Sequence, residues 1–199
     1  GAVVWLVAQS LAGLVILLTL GKAAIILGVA SLVLVAIYPF AKRFTWWPQV
    51  FLGLAFNWGV LLSWAAHTGN IAPAPVLAYL GGIAWTVFYD TIYAHQDLED
   101  DVLIGVKSTA RLFGEDSPRW LLVFAMTAIA LVLAGVLASA PQGLGAVLAL
   151  TGVAGFALHL CWQLYRFDQH DSAKCLRLFR SNRDAGLILA LFLVLAGLV

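Results

Sequence analysis

The sequence predicts an all-α, multi-pass transmembrane helical bundle, and three observations lead to it. Hydrophobic residues make up 63% of the chain and charged residues 11%, where a soluble domain carries about 25% charged residues. The mean hydropathy is +0.98. Runs free of Asp, Glu, Lys and Arg recur along the chain at lengths approaching the roughly 20 apolar residues of a membrane crossing. Within lipid each backbone amide must be satisfied inside its own segment, so such runs are helices.

Taken in order, the runs are Ala2 to Leu20, Ala23 to Phe40, Phe51 to Ala66, Ala74 to Tyr89, Trp120 to Ala140, Leu144 to Trp162 and Leu187 to Val199. The first has no basic leader and no cleavage site, which excludes a secretory signal. The last is shortened by the end of the sequence. Seven transmembrane helices are therefore expected in one domain, residues 1–199, with no linker or low-complexity stretch to suggest a second. Gly1 opens in the middle of apolar sequence without an initiator Met, so the domain is read as N-terminally truncated.

Charge is distributed unevenly. Segments 41–48, 95–119 and 163–184 hold ten of the eleven Lys and Arg residues, whereas the turns at 21–22, 67–73 and 141–143 hold only Lys22. The two sets alternate, as seven spans require, and the positive-inside rule puts the charged set on the cytoplasmic or matrix face. All ten acids lie at or near that face as well. Function is expected there. A net charge of +1 gives no reason to expect a nucleic-acid partner. Cys161 and Cys175 are too few for a disulfide framework and are expected as free thiols.

The most informative stretch is YDTIYAHQDLEDDVLIGVKSTA, residues 89–110, in which Asp97, Glu99, Asp100 and Asp101 put four acids into five residues. With no Gly or Pro between Asp90 and Leu98, the fourth helix is expected to continue past the membrane boundary. On a helical period Asp90, Ala94, Asp97 and Asp101 then share a face. Asp97 and Asp101, four residues apart, have Cβ atoms about 5–6 Å from each other and repel unless a cation sits between them. Oxygen-only ligands suit Mg²⁺ or Ca²⁺, and Mg²⁺ takes one or two carboxylates with water and substrate phosphate around them. The competing reading is a solvated helix end. Asp90 argues against it, because a carboxylate inside the boundary normally faces a cavity and a partner.

Cations near the same face suit an anionic substrate. Lys107 follows Gly105, which permits a tight turn, and offers a point charge for phosphate. Arg43 follows YPFAK and can hold a carboxylate or phosphate with two parallel hydrogen bonds, or can simply snorkel. Trp46 and Trp47 read as membrane-belt aromatics. Asn57 either reaches a cavity or bonds a neighbouring helix. The four histidines show no metal-ligand spacing.

YPFAKRFTWWPQVFLGLAFNWG, YDTIYAHQDLEDDVLIGVKSTARLFG and FRSNRDAGLILAL together resemble the UbiA family of intramembrane aromatic prenyltransferases over essentially the whole chain. The resemblance implies a nine-helix bundle of which seven helices are here, with a cavity open sideways to membrane lipid. It implies two Asp-rich motifs whose Mg²⁺ ions hold the diphosphate of a polyprenyl donor. Asp97 and Asp101 match the second motif, as metal ligands, and Asp90 the acid before it; the first motif is not in the sequence. Lys107 matches the basic residue on the diphosphate, and Arg43 with Asn57 the acceptor neighbourhood. The implied reaction transfers a polyprenyl chain to 4-hydroxybenzoate for ubiquinone biosynthesis. Alternatives are another aromatic acceptor within the family (homogentisate, naphthoate or haem) and, from a different class, a divalent-cation or phosphate transporter using the three aspartates as an ion path. The implied setting is the bacterial cytoplasmic or mitochondrial inner membrane. Isoprenoid length and oligomeric state are not legible.

Overall fold

The computed structural model describes residues 1–98 and 101–199 with their side chains and gives Glu99 and Asp100 only as part of a helix. The described chain is helical from end to end, without strands. Its elements are α1 (Ala2–Leu18), α2 (Lys22–Ile37), a 3₁₀ turn at Tyr38–Phe40, α3 (Ala41–Phe44), α4 (Pro48–Phe56), α5 (Trp58–Thr68), α6 (Pro73–Ala94), α7 (Leu98–Ile104), α8 (Thr109–Phe113), α9 (Ser117–Ala138), α10 (Gly143–Arg166) and α11 (Ser172–Ala196). Among the described residues four stretches are long and apolar enough to cross a membrane: 22–44, 48–68, 109–138 and 143–166. The all-α, multi-pass bundle expected from composition is what the chain forms.

α6 falls outside that set for a physical reason. It is the axis of the bundle, packed against α9, α4, α11 and α5, and twelve of its 22 residues are buried. A helix surrounded by protein has no need of a fully apolar surface, so α6 can carry Tyr79, Thr86, Thr91 and Asp90. It starts cleanly because Pro73 occupies its first turn, where the missing N–H would have no partner in any case. The core around it is built from Phe88, Ile92, Leu121, Ala125, Phe156 and Leu160.

Helix ends follow their local chemistry. α5 closes on Gly69 at φ 75° and α7 on Gly105 at φ 77°, the left-handed conformation that glycine adopts without a Cβ penalty. Asp171 caps α11, its carboxylate accepting from the Lys174 N–H at 2.8 Å, and Ser108 caps α8 by accepting from the Arg111 N–H at 3.4 Å. The cap at Asp171 changes one expectation: residues 172–184, read as loop, are the first turns of α11, so the last helix begins well before Leu187. Its first half carries the charges and its second half is apolar.

A second difference concerns the acids. α6 stops at Ala94, and a turn at His95–Asp97 separates it from α7. Asp90 therefore does not share a continuous helical face with Asp97 and Asp101. The cause is His95, which is buried, exchanges a 3.0 Å hydrogen bond between its Nε2 and the Ser117 hydroxyl, and packs edge-on against Phe167 at 5.4 Å. Burial, with His170 adding to it, pulls the His95 pKa down to about 4, so its ring is neutral at physiological pH and acts as an anchor for the end of α6.

Candidate functional site

The site lies at the charged end of the bundle, where α3, α7, α8 and the end of α6 meet. Asp97 is the N-cap of α7, and the Asp101 N–H donates to the Asp97 carbonyl at 2.8 Å. The pair is thus one helical turn apart, as the four-residue spacing requires. Asp101 is 7% exposed. Behind it the chain reverses: Val106 N–H donates to the Asp101 carbonyl at 3.1 Å and Gly105 N–H to the Val102 carbonyl at 3.3 Å. This is the two-bond cap that follows a left-handed glycine, and it reverses the chain so that Lys107 meets the Lys42 carbonyl. The tight turn expected at Gly105 is present.

Lys107 is tied to α3. Its N–H donates to the Lys42 carbonyl at 3.1 Å, its ammonium to the Phe44 carbonyl at 3.5 Å, and its Nζ lies 5.8 Å from the centre of the Trp46 ring. Arg43 sits on this same short helix, exposed, its guanidinium 5.9 Å from the Phe40 ring. The chain thereby brings Lys107 beside the segment that carries Arg43. Asp90 lies one layer deeper, half-buried, with the Gln49 amide as its hydrogen-bond partner and Lys42 as the cation acting on it. Asn57 interrupts the third span between α4 and α5. Its amide donates to the Gly53 carbonyl and to the Thr86 hydroxyl, both at 2.9 Å, and it also borders two open clefts. The two readings of Asn57 are both realised.

Several residues were missed by sequence reasoning. Gln49 is 2% exposed and accepts from the Thr109 N–H at 3.3 Å, while the Thr109 and Thr91 hydroxyls hydrogen-bond to each other. This buried chain pins α8 to α4 and α6. Arg111 donates to the carbonyls of Asp101 and Val106 and stacks its guanidinium 5.4 Å from the Trp46 ring centre. Arg180 and Arg183 line a cavity with Asn57, Tyr89 and Phe179. Their three-residue spacing within FRSNRD was the available signal. Trp47 packs against Phe113 at 5.5 Å and Phe124 at 6.1 Å, so protein aromatics hold it where a membrane belt was expected. Both cysteines are free. Burial, then Asp171 and Asp168, pushes the Cys175 thiol up to about 11, which leaves it unreactive near neutral pH.

The donor set fits Mg²⁺. Asp97 and Asp101 offer carboxylate oxygen only, one turn apart, and Mg²⁺ binds through one or two carboxylates with water and phosphate completing its sphere. Among the described residues no group of three His, Cys, Asp or Glu side chains converges.

An all-α, multi-pass fold with an acidic pair and several cations at its charged end defines a class, helical membrane proteins with a polar site at one end of the bundle. The UbiA prenyltransferase family's sequence model matches residues 1–198, and the chain belongs to that family. It is 48% identical over 197 residues to the mitochondrial 4-hydroxybenzoate polyprenyltransferase of Rattus norvegicus, covering 98% of this chain and 51% of that protein. The Arabidopsis thaliana protein of the same name is 49% identical over 183 residues, covering 91% and 44%, and the Homo sapiens protein is 46% identical over 197 residues, covering 98% and 52%. The chain spans about half the length of the curated relatives it matches. The apo structure of a UbiA homolog from Aeropyrum pernix K1 superposes with a TM-score of 0.73 at 21% identity, over 90% of this chain and 66% of that one. At that identity the likeness establishes the fold.

Proposed function

We propose that residues 1–199 form one membrane domain of an enzyme that transfers a polyprenyl chain from its diphosphate to 4-hydroxybenzoate. What supports the reading most is a chain nearly half identical to polyprenyltransferases of that name, with Asp97 and Asp101 one helical turn apart and Lys107 just beyond the turn that ends their helix. The charged end faces the matrix or cytoplasm, in the mitochondrial inner or bacterial cytoplasmic membrane.

Asp97 and Asp101 would hold Mg²⁺, which when bound neutralises charge on the diphosphate as it leaves. Lys107 aims a second positive charge at the same group, and such preorganised charge acts strongly where water is excluded. The allylic carbon–oxygen bond breaks with its electron pair going to the diphosphate. Tyr89 and Phe179, whose rings lie 5.8 Å apart at the cavity wall, present aromatic faces to the resulting carbocation, each contributing about 0.5–2 kcal/mol. The acceptor ring forms the new carbon–carbon bond ortho to its hydroxyl and loses the proton of that carbon to the medium. Arg43 clamps the acceptor carboxylate.

The direct test is product formation by the full-length protein in vesicles from polyprenyl diphosphate and 4-hydroxybenzoate, with homogentisate as the competing acceptor. Arg43→Ala is expected to impair use of the benzoate acceptor by about 1.5–3 kcal/mol, the value of a charged hydrogen bond, while donor KM stays near wild type. Weakened donor use with unchanged acceptor kinetics would assign Arg43 to the diphosphate.

Arg111 gives a separate expectation. Because its guanidinium ties the Asp101 and Val106 carbonyls together, it fixes the metal ligand relative to Lys107 without touching substrate. Partners of this outer kind are worth about 10–100-fold in metal affinity. Arg111→Gln should therefore move the Mg²⁺ concentration giving half-maximal turnover upward by roughly tenfold, with turnover recovering at saturating Mg²⁺. A loss that added Mg²⁺ does not restore would make Arg111 purely structural.

A further inference from the structure

Past Asp101, α7 turns its remaining side chains away from the protein. Asp101 is buried, whereas Val102, Leu103 and Ile104 are 54%, 84% and 74% exposed. Three consecutive helical positions sweep about 200° of a helix surface, so most of this end of α7 lies open. A turn built to face water does not carry three large apolar residues in a row unless they serve a purpose. Here they follow directly on the most acidic run of the sequence.

The fold limits how far this tip can stand from the bilayer. One apolar stretch ends at Phe44 and another begins at Thr109, and α7 hangs between them. Lys107 is bonded to the end of the first stretch, its N–H to the Lys42 carbonyl at 3.1 Å and its ammonium to the Phe44 carbonyl at 3.5 Å. Ile104 precedes Lys107 by three residues, a reach of at most about 11 Å, and Thr109 by five, about 18 Å. Arg111 of α8 ties the base of α7 through the Asp101 and Val106 carbonyls. The tip therefore stays beside the ends of both stretches. Those ends are apolar on the outside: Phe40 and Phe44 are exposed on one, Leu112 and Trp120 on the other. Lys42, Arg43 and Trp46 are exposed among them, the residue types that gather at a membrane–water interface. The open surface of α7 continues this rim.

We propose that α7 is an interfacial anchor: Val102, Leu103 and Ile104 insert into the bilayer surface, and the glycerol and upper acyl region of the lipid is their partner. Apolar insertion holds the contact, because the local charge is mixed. Asp97 and Asp101 belong to the same helix end, while Lys42, Arg43 and Lys107 stand next to it. An anionic headgroup would meet acids and cations together, whereas the acyl edge is common to every phospholipid. The consequence falls on the acidic pair. Asp97 caps α7 and Asp101 lies within it, so an anchored α7 sets both carboxylates at the membrane boundary, with lipid against one side of their helix and protein against the other. The inference stands whatever reaction the protein catalyses.

The test places an environment-sensitive fluorophore on Leu103→Cys in the full-length protein, in a background from which Cys161 and other accessible cysteines have been removed. The protein is reconstituted into phosphatidylcholine vesicles. The expected result is a blue-shifted emission that is lost to nitroxides on the upper acyl carbons of the lipid and is insensitive to aqueous iodide. The same fluorophore on Ser172→Cys, exposed at the start of α11, should be quenched by iodide. Changing Val102 and Ile104 to serine should move the Leu103→Cys signal toward iodide quenching. If it does not, the fluorophore itself drives insertion and the proposal falls. Iodide quenching of Leu103→Cys in the otherwise unaltered chain would make α7 a water-facing turn and overturn the proposal. Protection from both quenchers would overturn it too, since another part of the longer protein would then cover the tip. Adding anionic lipid should leave the signal unchanged. Insertion seen only with anionic lipid would assign the contact to the cations and sink the apolar anchor.

Discussion

Neutralising Asp97 or Asp101 in the full-length enzyme is expected to reduce turnover by roughly 100- to 1000-fold, the scale of losing one preorganised electrostatic contact to a transition state. Asp97→Asn and Asp101→Asn keep shape and hydrogen-bonding capacity but remove the charge a hard cation needs. The surviving activity should also require more Mg²⁺. The effect should be selective within the acidic run. Asp97 caps α7 and Asp101 sits one turn on, with its backbone locked at both ends by the Asp97 carbonyl and by Arg111. The Glu99 and Asp100 side chains lie outside the described residues. By sequence alone, a wheel of about 100° per residue sets positions 99 and 100 about 200° and 300° from position 97. Glu99→Gln should therefore be nearly silent and Asp100→Asn, which borders the shared face, intermediate. The measurement is product formation across a Mg²⁺ titration for the four variants. Equal losses in all four would mean a diffuse negative patch in place of a defined ligand pair, and no loss in any would remove the pair from the metal site.

The one-turn spacing of Asp97 and Asp101 was legible in the sequence because a helical turn is a local property: the hydrogen bond from Asp101 N–H to the Asp97 carbonyl depends only on residues between them. The Gly105 turn was legible for the same reason. Asp90 was misread as continuous with Asp97 because the interruption at His95–Asp97 is imposed from outside. The His95 ring is drawn into the core by Ser117 and Phe167, 22 and 72 residues away along the chain, and neither partner has a signature in the local pattern. Gln49 and Thr109 were invisible on the same grounds, since a lone glutamine near a membrane boundary reads as solvated until α8 is folded onto it. α11 was shortened in the sequence reading for a different reason. Arg177, Arg180 and Arg183 break the apolar run, and hydropathy cannot distinguish a charged loop from a charged helical turn. The capping aspartate at 171 was the overlooked clue. The transporter alternative asks for acids that continue across the bilayer, and the sequence has none at mid-depth or on the far side.

Gly135→Leu is expected to prevent stable folding, and Gly135→Ala to destabilise by about 1–3 kcal/mol, the cost of overpacking a tight contact. α6 and α9 run antiparallel, with Ser117 of α9 bonded to His95 just past α6 at one end and Gly135 against Ala74 and Ala78 at the other. An added Cβ at Gly135 would stand 3.1 Å from both the Ala74 carbonyl oxygen and the Ala78 nitrogen. These are backbone atoms, which cannot rotate away as a side-chain tip can. Gly81 repeats the arrangement one level nearer the charged end, against Val132 and the Ala128 carbonyl. Close approach through small residues is how helices gain packing energy where lipid supplies no hydrophobic drive. Alanine in place of glycine is favoured by about 1 kcal/mol in a helix interior, so the clash must exceed that for the variant to be less stable. Gly13→Ala on α1, where nothing lies within 4 Å of the added Cβ, isolates the propensity term and should be neutral or stabilising. Thermal unfolding of Gly135→Ala, Gly81→Ala and Gly13→Ala in one detergent measures the difference. Since Gly135 is 18 residues, or about 27 Å, from Ser117, the folded fraction of Gly135→Ala should keep the wild-type Mg²⁺ dependence. A Gly135→Ala variant as stable as Gly13→Ala would mean that α6 and α9 can separate freely, and that their contact does not hold the bundle together.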